Sequence, residues 1–199
     1  IKEYQKFRLI TFIIAIICIF ILSNYSTKLT DRMFLIPAES MGLIESSESK
    51  KKYIFSEIHD GYIRTALNMF NDKPILGHGP KMFRLKCSNP NYSVGKRPCD
   101  SHPHNFYIQL LAETGVIGFL FLFTGFFYVL YASIMQIKSI IFKKNRYLTD
   151  YQVCLLSSIL ITLWPISPNG NFFNNWMIII YSLPIGFYLQ SIYKNKFIN

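Results

Sequence analysis

Residues 101–118 read SHPHNFYIQLLAETGVIG and join a polar cluster directly to a long apolar run. Pro103 suits the first position of a helix, because its missing N–H and fixed φ cost nothing there. The stretch therefore predicts one continuous helix that starts at this proline and runs on into the apolar residues. Steps of three and four residues along that helix would bring four polar side chains onto one face: His102, Asn105, Gln109 and Glu113.

The composition indicates an integral membrane protein. Of the 199 residues 51% are hydrophobic, and 18 Phe and 13 Tyr stand against only 11 acidic residues. Several long apolar runs argue against a soluble domain. The net charge of +10 would suit a nucleic-acid partner, but nine of the 21 cations flank apolar runs, where membrane topology places them. Because no Gly-rich phosphate loop, zinc-finger spacing or base-reading basic helix is visible, we expect no nucleic acid.

Four apolar runs predict four transmembrane helices, and hence an all-α integral membrane protein. The runs cover residues 9–25, 115–137, 151–166 and 176–193. The chain starts with Ile1 rather than Met, and no small-residue cleavage site follows its first apolar run. We therefore expect a fragment that lacks its N-terminal half and belongs to a larger polytopic fold.

Lysine and arginine in the short loops predict the orientation. The N-terminal flank carries three, the loop after the second span four and the C-terminal tail two, while the 167–175 loop carries none. With four spans the basic segments fall on one side of the membrane, which the positive-inside rule makes cytoplasmic. The chain is predicted to begin with an N-terminal flank and a first span (1–25), followed by an outer loop (26–114) and a second span (115–137). A basic cytoplasmic loop (138–151) then leads into a transmembrane hairpin (152–193), whose two spans are joined by the short outer loop 167–175. A cytoplasmic tail (194–199) ends the chain.

The outer loop divides into a polar part and a helical part. Residues 26–52 carry runs of Ser, Glu and Lys, which predict a solvated loop without chemistry. Residues 53–70 return to helical spacing, and the Asn-Asp-Lys-Pro sequence at 71–74 ends the helix. In the turn that follows, Gly77 and Gly79 permit positive φ and close approach of a ligand, although a plain tight turn is the simpler explanation.

Two cysteines frame the Pro- and Asn-rich connector after this turn. Cys87 and Cys99 could close a small disulfide loop if the segment faces an oxidising compartment. Cys18 and Cys154, in contrast, lie inside apolar runs and are typical of small hydrophobic residues. The spacing does not establish the pairing, so two free thiols in the connector are the alternative.

Two arginines of the outer loop are candidates for binding an anion. The guanidinium groups of Arg64 and Arg84 present planar forks of donors that suit a phosphate or diphosphate. An ion pair with Asp60, four residues earlier, is the alternative for Arg64. Simple solvation in the loop is the alternative for Arg84.

His104 is the candidate proton acceptor. In the first turn of the predicted helix it would meet the positive end of the helix dipole, which disfavours the imidazolium. A neutral imidazole can take the proton of a hydroxyl and so make the oxygen a nucleophile. A purely structural histidine is one alternative. A metal site of His102, His104 and Glu113 is another alternative. Glu113, however, does not stand at a typical metal-ligand spacing from the two histidines, and we expect no metal.

These residues resemble a known signature. His104-Asn105, nine further residues and then Gly115-x-x-Gly118 are similar to the His-Asn-x9-Gly-x-x-Gly signature of the O-antigen ligase and O-antigen polymerase family. Upstream, the stretch 64–83, with its arginine and its PILGHGP sequence, resembles the part of the outer loop that precedes the signature in that family. The order of loops and spans is also similar.

The resemblance implies a polytopic glycosyltransferase of the GT-C-like group, surrounded by lipids of the bacterial inner membrane, with its active loop in the periplasm. Such enzymes transfer a glycan from an undecaprenyl-diphosphate carrier to a hydroxyl, on a lipid A-core sugar for ligases or on another repeat unit for polymerases. No cofactor and no metal are implied. We expect a ligase, with a polymerase as the alternative. A transport or assembly subunit is the alternative outside the family, but the predicted spans hold almost no ionisable residue.

The resemblance also implies roles for individual residues. His104 would be the general base on the acceptor hydroxyl, and Arg64 and Arg84 would hold the diphosphate leaving group. Six residues would line or shape the substrate pocket: Gly77, Gly79, His102, Asn105, Gln109 and Glu113. For Glu113 a structural role, such as capping a helix, stays open.

Overall fold

The computed structural model describes residues 4–25, 27–40, 56–142 and 145–198. Within these ranges all regular secondary structure is helical, which confirms the predicted all-α class for the described residues. The helices are α1 (Gln5–Tyr25), α2 (Thr27–Thr30), a π-helical turn (Asp31–Leu35), α3 (Ile36–Ser40), α4 (Glu57–Asp72), α5 (Phe83–Lys86), α6 (Phe106–Ile141), α7 (Asp150–Thr162) and α8 (Asn175–Ile198). The chain divides into two compact units at Asp60.

The first unit contains α1, whose apolar side chains are largely exposed. Its 21 residues extend about 31 Å, roughly the thickness of a hydrocarbon core. The prediction of a solvated loop is wrong for residues 27–40, which are helical. This stretch contains no glycine, and Phe34 and Leu35 interrupt its polar residues. Its proline, Pro37, lies in the first turn of α3, directly after the π-helical turn. The rest of the predicted loop, 41–52, lies outside the described residues.

The second unit begins within α4, which buries one face. The helical spacing predicts one apolar side that contains Ile58, Tyr62, Ala66 and Met69. The last three are buried, but Ile58 is 42% exposed, and positions 53–55 of the predicted helix lie outside the described residues. The connector that follows α5 packs directly on α4, because the backbone N–H of Val94 donates to Thr65 Oγ1 at 3.0 Å. This connector is therefore folded onto α4. We call residues 56–105, which lie within the predicted outer loop, the outer segment.

α6 is not one straight helix, because Gly115 has non-helical angles (φ 66°, ψ −163°). The ring centroid of Tyr107 lies 6.1 Å from that of Phe119 and 6.4 Å from that of Phe126. In a straight helix the Cα atoms of these pairs would be about 18 Å and about 28 Å apart. The chain therefore folds back at Gly115, and the first nine residues of α6 pack against the helix that follows. We call residues 106–126 the α6 hairpin.

The prediction of a continuous helix from Pro103 into a membrane span is therefore wrong at both ends. The helix begins three residues later, because the Asn105 side chain accepts hydrogen bonds from the backbone N–H groups of Tyr107 and Ile108 at 3.0 and 3.1 Å. An asparagine cap satisfies donors that a proline at the first position leaves open. At the other end, the helix breaks at Gly115 before the long apolar run begins.

Steric contacts explain why both of these signature positions are glycines. A Cβ atom on Gly115 would lie 2.2 Å from the carbonyl oxygen of Ile75, and the φ of 66° already disfavours residues with a side chain. A Cβ atom on Gly118 would lie 1.9 Å from Thr114 Oγ1, on the other side of the break. The Gly-x-x-Gly spacing thus serves the fold-back of α6.

A loop from the preceding segment fills the break in α6. The Val116 N–H donates to the Pro74 carbonyl at 2.8 Å. The Gly79 N–H donates to the Glu113 carbonyl, also at 2.8 Å. These bonds satisfy backbone groups that the interrupted helix would otherwise leave unpaired. The outer segment and the α6 hairpin therefore stabilise each other.

α7 and α8 pack with α6 around an apolar core to which all three helices contribute: Leu122, Phe126, Val129, Ala132, Leu156, Ile159 and Tyr188. A capping box of Thr149 and Gln152 starts α7. Among the described residues two helices are long and apolar enough to cross a membrane, Phe106–Ile141 and Asn175–Tyr193. α7 has 13 residues and extends about 20 Å. The fold-back leaves only the part of α6 after Gly115 for a straight crossing.

Replacing Gly118 by alanine is expected to lower the midpoint of thermal unfolding, because the new methyl group would overlap the Thr114 side chain. Overpacking of this kind costs about 1–3 kcal/mol. Gly125 is the matched control, since it lies on the same helix and a Cβ atom there meets nothing within 4 Å. Unfolding of the two purified variants in detergent measures the difference. Equal midpoints would contradict the fold-back at Gly115.

Candidate active site

His104 lies immediately before the cap of α6, outside the helix, so its predicted place in the first helical turn is wrong. Its φ of 59° is uncommon for a residue with a side chain and costs about 1–3 kcal/mol. Asn105, which caps the helix, and Asn169, whose N–H donates to the His104 carbonyl at 2.9 Å, hold this conformation. Such strained residues cluster at functional sites.

Asp100 is a partner of His104 that the sequence pattern does not predict. The Nε2 atom of His104 lies 3.0 Å from Asp100 Oδ2. A carboxylate can only accept, so Nε2 carries a proton and a neutral ring has its basic lone pair on Nδ1. The hydrogen bond from His104 lowers the pKa of Asp100, which keeps the carboxyl group ionised. The only signal in the sequence is a four-residue spacing, which indicates a contact in a helix but not in a loop.

The His104 ring contacts two further rings. Tyr62 of α4 stacks on it with centroids 5.7 Å apart, and the His102 centroid lies 4.2 Å away. The His104 side chain is 29% exposed, so a molecule from outside can reach it. In the part of the chain that the structure describes, no three His, Cys, Asp or Glu side chains are grouped so that they could hold a metal ion.

His102 is buried and has partners at both ring nitrogens. Its Nε2 donates to the Asn169 carbonyl at 3.1 Å, and its Nδ1 accepts from the Ser101 hydroxyl at 2.8 Å. Burial lowers the pKa of His102, and the nearby His104 adds to this effect. His102 precedes α6 and therefore does not share a helix face with the later polar residues, as a continuous helix would require. It links the start of α6 to the loop between α7 and α8.

The loop between α7 and α8 makes further contacts with the start of α6. Asn105 Nδ2 donates to the Pro165 carbonyl at 2.7 Å. The Tyr107 hydroxyl donates to the Leu163 carbonyl at 2.6 Å. Carbonyl groups of this uncharged loop thus hold the residues at the helix cap in place.

Gln109 and Glu113 share one face of α6, as their spacing predicts, and both are fully buried. Gln109 Nε2 donates to Glu113 Oε2 at 3.0 Å and to Asn171 Oδ1 at 2.8 Å. Glu113 also accepts hydrogen bonds from the backbone N–H groups of Lys81 and Phe83 at 3.1 and 2.8 Å. The pair therefore joins α6 to the α7–α8 loop on one side and to the start of α5 on the other.

Gly77 and Gly79 have positive φ angles of 67° and 104°. A Cβ atom on Gly77 would lie 2.4 Å from the carbonyl carbon of Glu113, so the close approach that the sequence predicts at this turn is made by α6 itself. The side chain of His78, between the two glycines, is buried, and its Nδ1 lies 2.9 Å from Lys86 Nζ. Burial lowers the pKa of His78, so a neutral ring can accept this hydrogen bond.

Arg64 and Arg84 are both exposed. Arg64 follows Tyr62 by two residues, which places it about 200° further around α4, away from the side that contacts His104. Arg84 lies in α5 and acts electrostatically on the Glu113 carboxylate. The geometry therefore associates Arg84 with the buried Glu113 network and directs the start of the Arg64 side chain away from His104.

Cys87 and Cys99 form a disulfide, with Cα atoms 5.2 Å apart, which answers the question of pairing that the sequence left open. Cys87 is fully buried, and Cys99 directly precedes Asp100. The bond therefore anchors the segment that carries Asp100 to the core of the outer segment. Cys18 and Cys154 are thiols with exposed side chains.

Comparison with known proteins connects this geometry to a family. A family model for O-antigen ligase matches residues 2–123, which run from α1 through the signature. A Rickettsia felis protein described as "Putative polysaccharide ligase" is 31% identical over 132 residues, which are 62% of this chain and 32% of that protein. The chain thus spans about a third of the relative's length. No solved structure matches.

The match to the family model covers more than half of the chain. It includes Asp100, His104 and both glycines at which α6 folds back. The α7–α8 loop, which contacts the same residues, lies outside the matched segment. From this match we conclude that the chain belongs to the O-antigen ligase family.

Proposed function

We propose that the chain is the catalytic part of a metal-independent glycosyltransferase of the bacterial inner membrane. It transfers a glycan from undecaprenyl diphosphate to a sugar hydroxyl of the lipid A-core acceptor. The descriptions of the family and of the relative favour a ligase over a polymerase. The observation that carries the proposal is the contact of His104 with Asp100 beside the cap of α6, because it gives an accessible histidine one defined basic nitrogen.

The proposed reaction needs a base and a stabilised leaving group. His104 takes the proton of the acceptor hydroxyl while the hydroxyl oxygen attacks the anomeric carbon of the glycan. The bond from that carbon to the carrier phosphate breaks, and undecaprenyl diphosphate leaves with the electron pair. Negative charge grows on the diphosphate, so fixed cations lower the barrier. The two candidates for these cations are Arg84, which acts on the Glu113 network, and Arg64, which lies on another side of α4 than Tyr62.

The other predicted pocket residues act, in this proposal, by holding the site together. They are Gly77, Gly79, His102, Asn105, Gln109 and Glu113. Each one uses its polar groups or its backbone to bind a second segment of the protein. The pocket would then form where the outer segment, the α6 hairpin and the α7–α8 loop meet.

In the proposed topology α1, α6, α7 and α8 cross the membrane, and the segment between α1 and α6 faces the periplasm. The Cys87–Cys99 disulfide supports a periplasmic location of that segment, because disulfides persist in oxidising compartments such as the periplasm. The exposed apolar side chains along α1 and α8 support contact with lipid. The basic residues between α6 and α7 support a cytoplasmic position for that connection.

Loss of the gene in a strain that makes a surface polysaccharide is expected to leave polymerised glycan on its lipid carrier, because a ligase acts after polymerisation. Gel analysis of lipopolysaccharide and of the lipid-linked glycan measures this accumulation. A core that carries a single repeat unit would identify a polymerase and refute the ligase proposal. Unchanged lipopolysaccharide and carrier lipid would refute both.

A further inference from the structure

We propose that Asp100 is a positioning residue that orients His104 and keeps the proton on Nε2, so that Nδ1 is the atom that deprotonates the acceptor hydroxyl. This inference rests on the proposed function. It goes beyond that function by identifying Nδ1 as the ring nitrogen that takes the proton and Asp100 as the residue that determines this choice. The signature itself begins four residues after Asp100 and assigns it no role.

Both carboxylate oxygens of Asp100 have defined partners. The backbone N–H of Ser101 donates to Oδ1, and this bond turns Oδ2 towards His104 Nε2 at 3.0 Å. The contact requires a proton on Nε2, so the tautomer with its lone pair on that nitrogen is disfavoured. The carboxylate also stabilises the positive charge that the ring gains when Nδ1 takes a proton from the substrate. One contact thus orients the base and assists its protonation.

The backbone on the N-terminal side of Asp100 is anchored at two points. Cys99 is bonded to a fully buried cysteine. The Arg97 carbonyl oxygen lies 3.7 Å from the point that a Cβ atom on Gly61 would occupy, so the chain passes close to α4. The carboxylate is therefore held near the imidazole before any substrate binds, which is the condition for effective preorganisation.

Asp72 provides a matched control in the same outer segment. Its side chain is 48% exposed, against 41% for Asp100, and its Oδ2 lies 3.5 Å from Nε2 of another histidine, His78. That Nε2 already donates to the Met69 carbonyl at 2.9 Å. The Tyr92 hydroxyl donates to Asp72 Oδ2 at 2.8 Å, and the amide oxygen of an asparagine can accept the same hydrogen bond. Asp72→Asn therefore removes a surface charge beside a histidine without changing the proposed base.

The test measures glycan transfer by the intact purified protein with a lipid-linked glycan donor and a lipid A-core acceptor. Asp100→Asn is expected to lower kcat about 100-fold and to leave KM within about twofold, because an amide can donate to Nε2 and reverse the tautomer. The loss is smaller than for a buried triad aspartate, since Asp100 is partly exposed. Asp100→Glu is expected to restore part of kcat, and Asp72→Asn is expected to match the wild type.

A double variant separates positioning from an independent effect. Asp100→Asn combined with His104→Ala is expected to be no slower than His104→Ala alone, because Asp100 acts only through the imidazole. A slower double variant would overturn the positioning role. So would a rate for Asp100→Asn equal to that of Asp72→Asn, or a loss of transfer that merely follows a lower unfolding midpoint. Full transfer by His104→Ala would instead remove the proposed function, whatever Asp100 does.

Discussion

Replacing His104 by alanine in the intact protein is expected to lower glycan transfer about a thousandfold, because a positioned general base contributes about 10²- to 10⁴-fold to a rate. The remaining rate would come from binding of the two substrates and from charge stabilisation of the diphosphate. Transfer by the purified variant measures the loss directly. In cells that carry only this variant, glycan should accumulate on the lipid carrier.

His59→Ala is the control for the loss of an imidazole from the same segment. His59 lies at the start of α4, where its Nδ1 is 2.7 Å from Ser56 Oγ, and the proposed reaction gives it no part. This variant should transfer glycan at the wild-type rate. If folded His104→Ala did so too, chemistry could no longer be assigned to this site, although membership of the family would stand.

The second large effect is expected from Gly115→Ala. The new methyl group would lie 2.2 Å from the Ile75 carbonyl oxygen, and alanine at a φ of 66° is itself unfavourable. The loop 74–79 would have to move, and the hydrogen bonds of the Pro74 carbonyl and the Gly79 N–H to α6 would be lost. We expect a loss of at least about 3 kcal/mol in unfolding free energy, with little folded protein in the membrane.

Gly186→Ala is the control for this variant. Gly186 lies in α8, and a Cβ atom there meets nothing within 4 Å. Its stability should change by less than about 0.5 kcal/mol. Thermal unfolding in detergent compares the two proteins. A midpoint for Gly115→Ala close to that of Gly186→Ala would mean that the chain does not need a left-handed residue at this position.

The long helices were the predictable part of the fold, whereas the helical residues 27–40 and the reversal of α6 were not. Apolar runs and the spacing of Tyr62 and Ala66 indicate helices from short-range pattern alone. A glycine within an apolar run, however, is equally compatible with a straight transmembrane helix. The reason for Gly115 is the carbonyl of Ile75, which lies 40 residues earlier in the sequence. Only the folded chain brings the two together.

The candidate site likewise has contacts that the sequence predicts and contacts that it does not. The step from Gln109 to Glu113 predicts neighbours because both residues lie on one helix, and they are hydrogen-bonded. Asp100 and His104 have the same spacing in a loop, where it has no fixed geometric meaning. A proline favours a helix start at 103, yet the asparagine two residues later caps more backbone donors and determines where the helix begins.

The carbonyl groups of Leu163, Pro165 and Asn169 accept hydrogen bonds from side chains at the start of α6 or just before it. A reporter fused into the α7–α8 loop to map topology would displace these carbonyls. The fusion would then inactivate the protein although every residue of the signature was intact. Natural variants with insertions or deletions in this loop should accordingly be counted as functionally altered proteins, not as silent length polymorphisms.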